Sequence, residues 1–373
     1  MSSAAKITAG ELVLVCSRYD LGAIRSLRRF RGGSRQSPKV LIESDRGWFL
    51  LKRRGEKAPS VADGPDRADL AHRVQFFLGQ RGYPIAGLVR TRGIADREGV
   101  SLLELNGSAY EMFRFVRGVR FDRSPAQARE AGARLSELHA LFVEFAAGRL
   151  PAPATSTPSL SYHNHPAAER TILELPARLA SPPTASTPLP KTHARPFCER
   201  LAAAYRLAAE RAERLGVSQR SSHLIHGDWH PGNLLYSTEE PRKIVAVLDF
   251  DSLRSGPAIL DVANGAFQFA VSRRTGTDDS DSPAGLPPSR SPALSLNPDR
   301  FSGFLAGYRL GPEDPPVVPW LVIQAMIIET VAPIAATGRF GKLPALPALA
   351  MAARAAEWAA AESDRLVSLA GRP

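Results

Sequence analysis

The spacing of apolar and polar positions changes once along the chain, near Gly118. From Leu12 to Gly118 the apolar residues fall in short runs: KVLIES (39–44), WFLLKRR (48–54), SLLELNG (101–107) and AYEMFRFVRG (109–118). Such runs, rich in β-branched, aromatic and leucine residues and bounded by turn formers, predict strands. SDRG (44–47) predicts a hairpin turn between the first two. Between the second and third runs, RADLAHRVQFFLGQRGYP (67–84) places apolar residues at 70, 71, 74, 77 and 78 and ends on Gly82 and Pro84. That is helical spacing with a stop. Residues 1–118 therefore read as a small lobe of strands around one helix.

Beyond Gly118 the helical period takes over. Ser124-Pro125 predicts a helix start, and Leu135, Leu138, Leu141, Phe142 and Phe145 form its apolar stripe. A second helix is expected over 197–216, a strand in KIVAVLDFD (243–251), and helices from Phe301 to the Ala-rich C-terminal stretch. Two segments break the pattern, 151–195 and 272–298; both are rich in Pro, Ser and Thr and poor in large apolar residues, and they read as flexible inserts. The fold class is α+β: an N-terminal lobe over 1–118 and a mostly helical lobe over 119–373. VVPWLVIQAMIIETVAPIAA (317–336) is long enough to cross a bilayer, about 20 residues. Gln324, Glu329 and Thr330 at its centre argue instead for a buried helix and no membrane partner, because a carboxylate at mid-span is expensive in lipid.

Composition adds little to the fold and something to the partners. At 373 residues, 44% hydrophobic and 23% charged, the chain has material for two lobes. The net charge of +11 is N-terminal: residues 1–150 carry 26 Lys and Arg against 16 Asp and Glu, residues 151–300 carry 16 against 15, and residues 301–373 carry 6 against 6. Arg-rich stretches such as RSLRRFRGGSR (25–35) can meet polyphosphate or nucleic acid. A solvated basic surface accounts for most of these charges, and no nucleic-acid partner is expected. The two cysteines, Cys16 and Cys198, are too few for a disulfide framework and suit a reducing cytosol. The first residues lack the basic start and apolar run of a signal peptide.

The chemistry concentrates in HGDWHPGNLLY (226–236). Asp228 offers an acceptor for a substrate proton and Asn233 a side-chain carbonyl for a hard cation, with Pro231-Gly232 turning the loop between them. Downstream, the apolar run 244–248 stops at Asp249. A carboxylate at a strand end beside an Asn is a plausible Mg²⁺ site, since Mg²⁺ takes oxygen ligands and phosphate. Lys52, on an N-terminal strand, then suits nucleotide phosphates. The histidines read as structural: His226 and His230 within the loop, His139 on an apolar helix face. His163 and His165 alone in a Pro-rich segment do not make a metal site. A metallophosphoesterase is excluded, because no Asp-x-His precedes the motif and residues 231–373 contain no histidine.

HGDWHPGNLL followed by VLDFDSLRSGPAILDVAN resembles the aminoglycoside phosphotransferase and choline kinase family, with the homoserine kinase and spore-coat kinase-like branches nearest. The resemblance implies a protein-kinase-like bilobal fold and an ATP- and Mg²⁺-dependent kinase acting on a small-molecule hydroxyl. Asp228 would be the catalytic base and Asn233 and Asp249 the metal ligands. Lys52 would pair with the α- and β-phosphates, and Asp261 would brace the catalytic loop. RFRGGSR, with Gly32, Gly33 and Ser34, takes the place of the loop over the phosphates. FRFVRG takes the place of the hinge: Phe113 lining the adenine pocket, Arg114 and Val116 offering it backbone groups.

One expected residue is missing. The family's N-lobe helix carries a Glu that pairs with the strand lysine; here Ala71 or His72 falls at that place, with Asp69 the possible substitute. The alternative reading is accordingly a nucleotide-binding pseudokinase scaffold. Because acids and bases balance beyond residue 301 and the helix 317–336 has the single acid Glu329, a neutral, zwitterionic or mono-charged acceptor is expected. An amino alcohol, hydroxy amino acid or sugar fits, with Glu329 a candidate contact for an amine.

Overall fold

The structure, a computed structural model, describes residues 7–30, 32, 37–54, 65–93, 99–149, 162–163, 167–181, 189–274 and 293–372. In chain order its first elements are α1 (Ala9–Cys16), β1 (Ile24–Phe30), β2 (Lys39–Ser44), β3 (Gly47–Arg53), α2 (Pro65–Gln80), β4 (Leu88–Val89), β5 (Leu103–Leu105) and β6 (Ser108–Arg114). Next come α3 (Pro125–Arg149), α4 (Ala168–Ala180), α5 (Lys191–Arg214), β7 (Ser222–Ile225), β8 (Leu234–Tyr236), β9 (Ile244–Val247) and β10 (Arg254–Pro257). The remainder is α6 (Ile259–Ala270), β11 (Val271–Arg274), β12 (Ala293–Leu296), α7 (Pro298–Tyr308), α8 (Val318–Thr337), β13 (Arg339–Phe340), β14 (Leu343–Pro344), α9 (Ala345–Ala361) and α10 (Ser363–Ala370).

These elements form two compact units, Met1–Arg120 with Asn233–Leu253, and Phe121–Gly232 with Arg254–Pro373. The segment 233–253, placed by sequence in the C-terminal lobe, is therefore compact with the N-terminal unit. Backbone pairing is the reason. Val119 and Tyr236 exchange hydrogen bonds of 2.8 and 2.9 Å, the Val247 N–H donates to Pro84 at 2.8 Å, and Ile85 bridges Val247 in parallel.

In the first unit an antiparallel sheet runs β1-β2-β3-β6-β4, with β5 also on β6. The strands follow the predicted runs closely. Alternation puts Val40, Ile42, Phe49, Leu51, Tyr110 and Met112 into a core with Val15, Tyr19 and Leu21. α1 departs from the strand-rich reading of the N-terminal region. A capping box starts it: Thr8 Oγ1 accepts the Glu11 N–H at 3.2 Å, and Glu11 reaches back to the Thr8 N–H at 3.0 Å. Two orphan donors satisfied together favour helix over the strand propensity of LVLV.

The second unit is mainly helical. α3 and α7 cross closely because both contribute glycine: a Cβ on Gly132 would lie 1.9 Å from the Phe304 carbonyl oxygen, and one on Gly307 2.0 Å from that of Arg129. α8 is long and apolar enough to span a membrane by composition, but two-thirds of that stretch is buried in the protein against α5, α6 and α9. Its buried polar groups are satisfied internally: Thr330 donates to the Met326 carbonyl at 2.9 Å, and Gln324 Oε1 lies 3.0 Å from His163 Nδ1. Both proposed inserts are narrower than their sequence boundaries. α4 forms inside 151–195 and α5 begins at Lys191, while β11 and β12 pair antiparallel at the edges of 272–298. An amphipathic stripe of Ile172, Leu175 and Leu179 builds α4 despite its Pro-rich surroundings. The expected flexibility of 151–161, 182–188 and 275–292 lies outside the described residues. Both cysteines are free.

Candidate active site

Within the first unit, β8 and β9 are a two-stranded hairpin with Leu234 opposite Val247. Asn233 immediately precedes one strand and Asp249 closely follows the other, so the register brings both to one hairpin end. The Asn233 carbonyl accepts the Leu248 N–H at 2.8 Å. Asn233 is buried, and Asp249 holds a left-handed backbone, φ +64° and ψ +71°. Few non-glycine residues adopt that conformation, and Asp tolerates it better than most. Amide and carboxylate oxygens together are a donor set that fits a hard divalent cation completed by phosphate. Among the described residues no group of three or more His, Cys, Asp or Glu could hold a metal by itself.

Lys52, on β3, lies in the same unit. Its Nζ is 3.1 Å from Asp251 Oδ2 and 3.3 Å from Glu111 Oε2. Arg54 joins both carboxylates, through Nη1 to Glu111 and through Nη2 to Asp251 at 3.0 Å. Burial opposes the Lys52 charge, but Glu111, Asp251 and Asp249 outweigh it and hold the ammonium above the ordinary lysine value. Burial likewise opposes the Glu111 carboxylate, which the His72 hydrogen bond, Lys52 and Arg54 nevertheless hold down to about 2. The substitute suggested by sequence is not the partner. Asp69 is 65% exposed and lies 3.8 Å from Arg73, one helical turn on and directed to solvent.

Three residues of this face escaped the sequence reading: Glu111, Asp251 and Lys39. Lys39 stands directly opposite Lys52 across β2 and β3. Like charges facing each other across strands repel. Burial first, and Lys52 second, push the Lys39 pKa below its ordinary value, and its Nζ donates to the Ser37 carbonyl at 3.2 Å. A sequence signal existed, because counting back from a turn at Asp45-Arg46 pairs Lys39 with Lys52. None existed for Glu111, whose strand pairs with β3 from far along the chain.

Of the predicted phosphate loop, Gly32 is described; Gly33 and Ser34 lie outside the described residues. A Cβ on Gly32 would lie 2.5 Å from Phe30 Cε1, so a larger residue there would have to displace the Phe30 ring. In the hinge stretch, Phe113 pairs with Leu50 and Leu88 across the sheet. The Arg114 N–H donates to the Gly87 carbonyl at 2.8 Å, and its guanidinium covers the Phe49 ring at 5.2 Å. Its amide is thus committed to the sheet edge. Val116 is past the end of β6 and half-buried.

In the second unit, the loop 226–232 is held by Asp261 from α6. Asp261 Oδ2 accepts the His226 N–H at 2.6 Å and Oδ1 the Gly227 N–H at 2.9 Å, while His139 Nε2 donates to Oδ2 at 3.2 Å. Burial opposes this carboxylate, yet His139, His226 and Arg254 keep its pKa below the ordinary value. His139 also meets the Tyr308 hydroxyl at 2.9 Å, and His163 bridges Gln324 and Glu213; both are structural, as expected. His165 lies outside the described residues. Trp229, fully buried with the His226 ring against it, anchors the loop. Asp228 is 40% exposed, with Oδ2 3.6 Å from His230 Nε2. The Gly232 N–H donates to His230 Nδ1 at 3.0 Å, which leaves the ring proton on Nε2, facing Asp228. A Cβ on Gly232 would stand 2.4 Å from that ring.

The family model described as the phosphotransferase enzyme family matches residues 26–284, more than two-thirds of the chain and both motifs. The chain belongs to that family. No curated protein matches this phosphotransferase. Solved structures do. An aminoglycoside phosphotransferase from Alicyclobacillus acidocaldarius shares 15% identity over 98% of each chain, with a TM-score of 0.61. A microcompartment-associated aminopropanol kinase shares 18% identity over 96% of this chain and 99% of its own, with a TM-score of 0.60. An amicoumacin kinase in complex with AMP-PNP and Ca²⁺ shares 14% identity over 96% and 94%, with a TM-score of 0.59. The phosphotransferase accordingly has the protein-kinase-like fold.

Proposed function

We propose that this phosphotransferase moves the γ-phosphoryl group of ATP to the hydroxyl of a small neutral, zwitterionic or mono-charged metabolite. The observation that carries the reading is the β8–β9 hairpin end, which gathers Asn233 and Asp249 in the unit that also holds Lys52. Asn233 and Asp249 would hold Mg²⁺, which when bound neutralises phosphate charge as the transferring group separates. Lys52 binds the α- and β-phosphates, and Lys39 opposite it supplies a second cation, so that an anion relieves the repulsion between them. Gly32 begins the loop over the phosphates. Phe113 lines the adenine site, and Arg114 and Val116 supply backbone contacts to it. Asp228 accepts the acceptor hydroxyl's proton, on a loop whose backbone Asp261 fixes.

The acceptor reading rests on charge. Residues 301–373 carry no acidic surplus for a polycation, 6 acids against 6 bases, and Glu329 on α8 is half-buried. The aminopropanol kinase among the structural neighbours takes an amino alcohol, in keeping with an amine contact from Glu329. ADP release from Mg-ATP, measured with homoserine, choline, amino alcohols, hexosamines and kanamycin-type compounds at one concentration, tests the proposal. Turnover on a small amino alcohol, hydroxy amino acid or sugar is expected; a clear preference for the polycations overturns the acceptor reading, and no release with any acceptor favours the scaffold.

A further inference from the structure

The phosphate-binding lysine has a buried counter-ion that no motif marks. Lys52 and Glu111 are direct cross-strand partners in the β3–β6 register, so their side chains share one face of the sheet. Glu111 is 2% exposed and braced from two further directions. His72 of α2 places Nε2 2.8 Å from Glu111 Oε1 while its Nδ1 meets Ser101 Oγ at 2.8 Å, and the Arg54 guanidinium pairs with the same oxygen. Helix α2 thus presents to the sheet a histidine, itself buried, and not a carboxylate. Asp251 also touches Lys52, but it lies in a short 3₁₀ turn and is 29% exposed, whereas strand pairing fixes Glu111.

We infer that Glu111 is the positioning residue for Lys52 in nucleotide binding, replacing a helix-borne carboxylate, and that His72 carries the helix's share by holding Glu111 in place. This rests on the phosphotransferase reading. A salt-bridged carboxylate at the base of the lysine orients its ammonium and keeps it charged in a buried site. Moving the carboxylate from helix to strand ties the lysine to the sheet, with helix α2 acting one residue removed, through an imidazole.

The test is a double-mutant cycle on Mg-ADP affinity, measured by calorimetry in the full chain with Lys52→Met, Glu111→Gln and both together. Glu111→Gln keeps an acceptor for His72 and removes the charge. Coupled neighbours depart from additivity by up to ~3 kcal/mol, about 150-fold; here a loss of roughly tenfold is expected from Glu111→Gln in the wild-type background and less than about twofold in the Lys52→Met background. Equal losses in both backgrounds overturn the inference, since a merely structural residue acts whether or not the lysine is present. If Glu111→Gln does not unfold cooperatively, Glu111→Asp draws the carboxylate back from the lysine by one methylene in the same cycle: a smaller loss in the wild-type background that disappears in the Lys52→Met background is expected, and equal losses in both overturn the inference. A wild-type protein that binds no Mg-ADP fails the phosphotransferase reading and this inference together; wild-type binding with additive losses fails this inference alone.

Discussion

The Asn233 carbonyl accepts the Leu248 N–H at 2.8 Å, closing the β8–β9 hairpin at the end where Asp249 follows. Two oxygen donors separated along the chain are thereby held by one local ladder. Asp249→Asn keeps the size of the side chain and removes the charge that offsets Mg²⁺. Thermal stabilisation by ATP should then lose its dependence on magnesium while the apo protein unfolds near the wild-type temperature. Stabilisation that ignores both the metal and this substitution places the metal ligands elsewhere.

Lys39→Ala should weaken ATP binding more than adenosine binding, by about tenfold, the scale of one charge-assisted hydrogen bond. Because Lys39 repels Lys52 across the strands, the apo protein should be no less stable, and chemical denaturation without ligand checks this. Equal loss for ATP and adenosine would place Lys39 outside the phosphate site.

Asp228→Ala should reduce phosphoryl transfer by ~10²–10⁴-fold, the usual contribution of a positioned base. Its carboxylate is partly exposed, whereas the Asp261 carboxylate is buried and accepts two backbone N–H groups of the loop. Nucleotide affinity and melting temperature should therefore stay near wild type. Near-normal turnover in the folded variant would remove Asp228 from the reaction.

Asp261→Asn should be costly to stability. The amide turns one of two acceptor oxygens into a donor facing the N–H groups of His226 or Gly227. A buried donor left without an acceptor costs about 1–3 kcal/mol, and more where a charge was involved. The same contacts set a pH dependence. The folded pKa of Asp261 lies below the ordinary 3.8, so the folded state binds the proton less readily than the unfolded chain. Its stabilisation is complete above the unfolded value and is lost as pH falls through the depressed folded one. Wild-type stability should thus decline below about pH 5, and Asp261→Asn should show a shallower decline. Parallel acid-unfolding curves for the two proteins would contradict this assignment.

Features that depend on neighbours along the chain are legible from local pattern. The period change near Gly118, the hairpin at Asp45-Arg46, the 317–336 helix core and the HGDWHPGN loop are all set by local spacing, turn chemistry and burial. Even the facing of Lys39 and Lys52 follows from that two-residue turn. Where local signals competed, the structure chose. LVLV reads as strand by propensity, but a capping box and a packed apolar face make α1 a helix. Which carboxylate meets Lys52 depends on long-range strand pairing. Asp69 is the nearer candidate in a helical reading, yet it lies on the solvent side of α2. Glu111 reaches the lysine because β6 joins the sheet beside β3, a pairing between distant segments that no period or spacing encodes. The Arg114 N–H is taken by the Gly87 carbonyl at the sheet edge in the same way. The segment 233–253 joined the N-terminal unit through ladder bonds from Pro84 and Val119. Long-range hydrogen-bond pairing, which satisfies buried backbone groups wherever partners meet, set these outcomes.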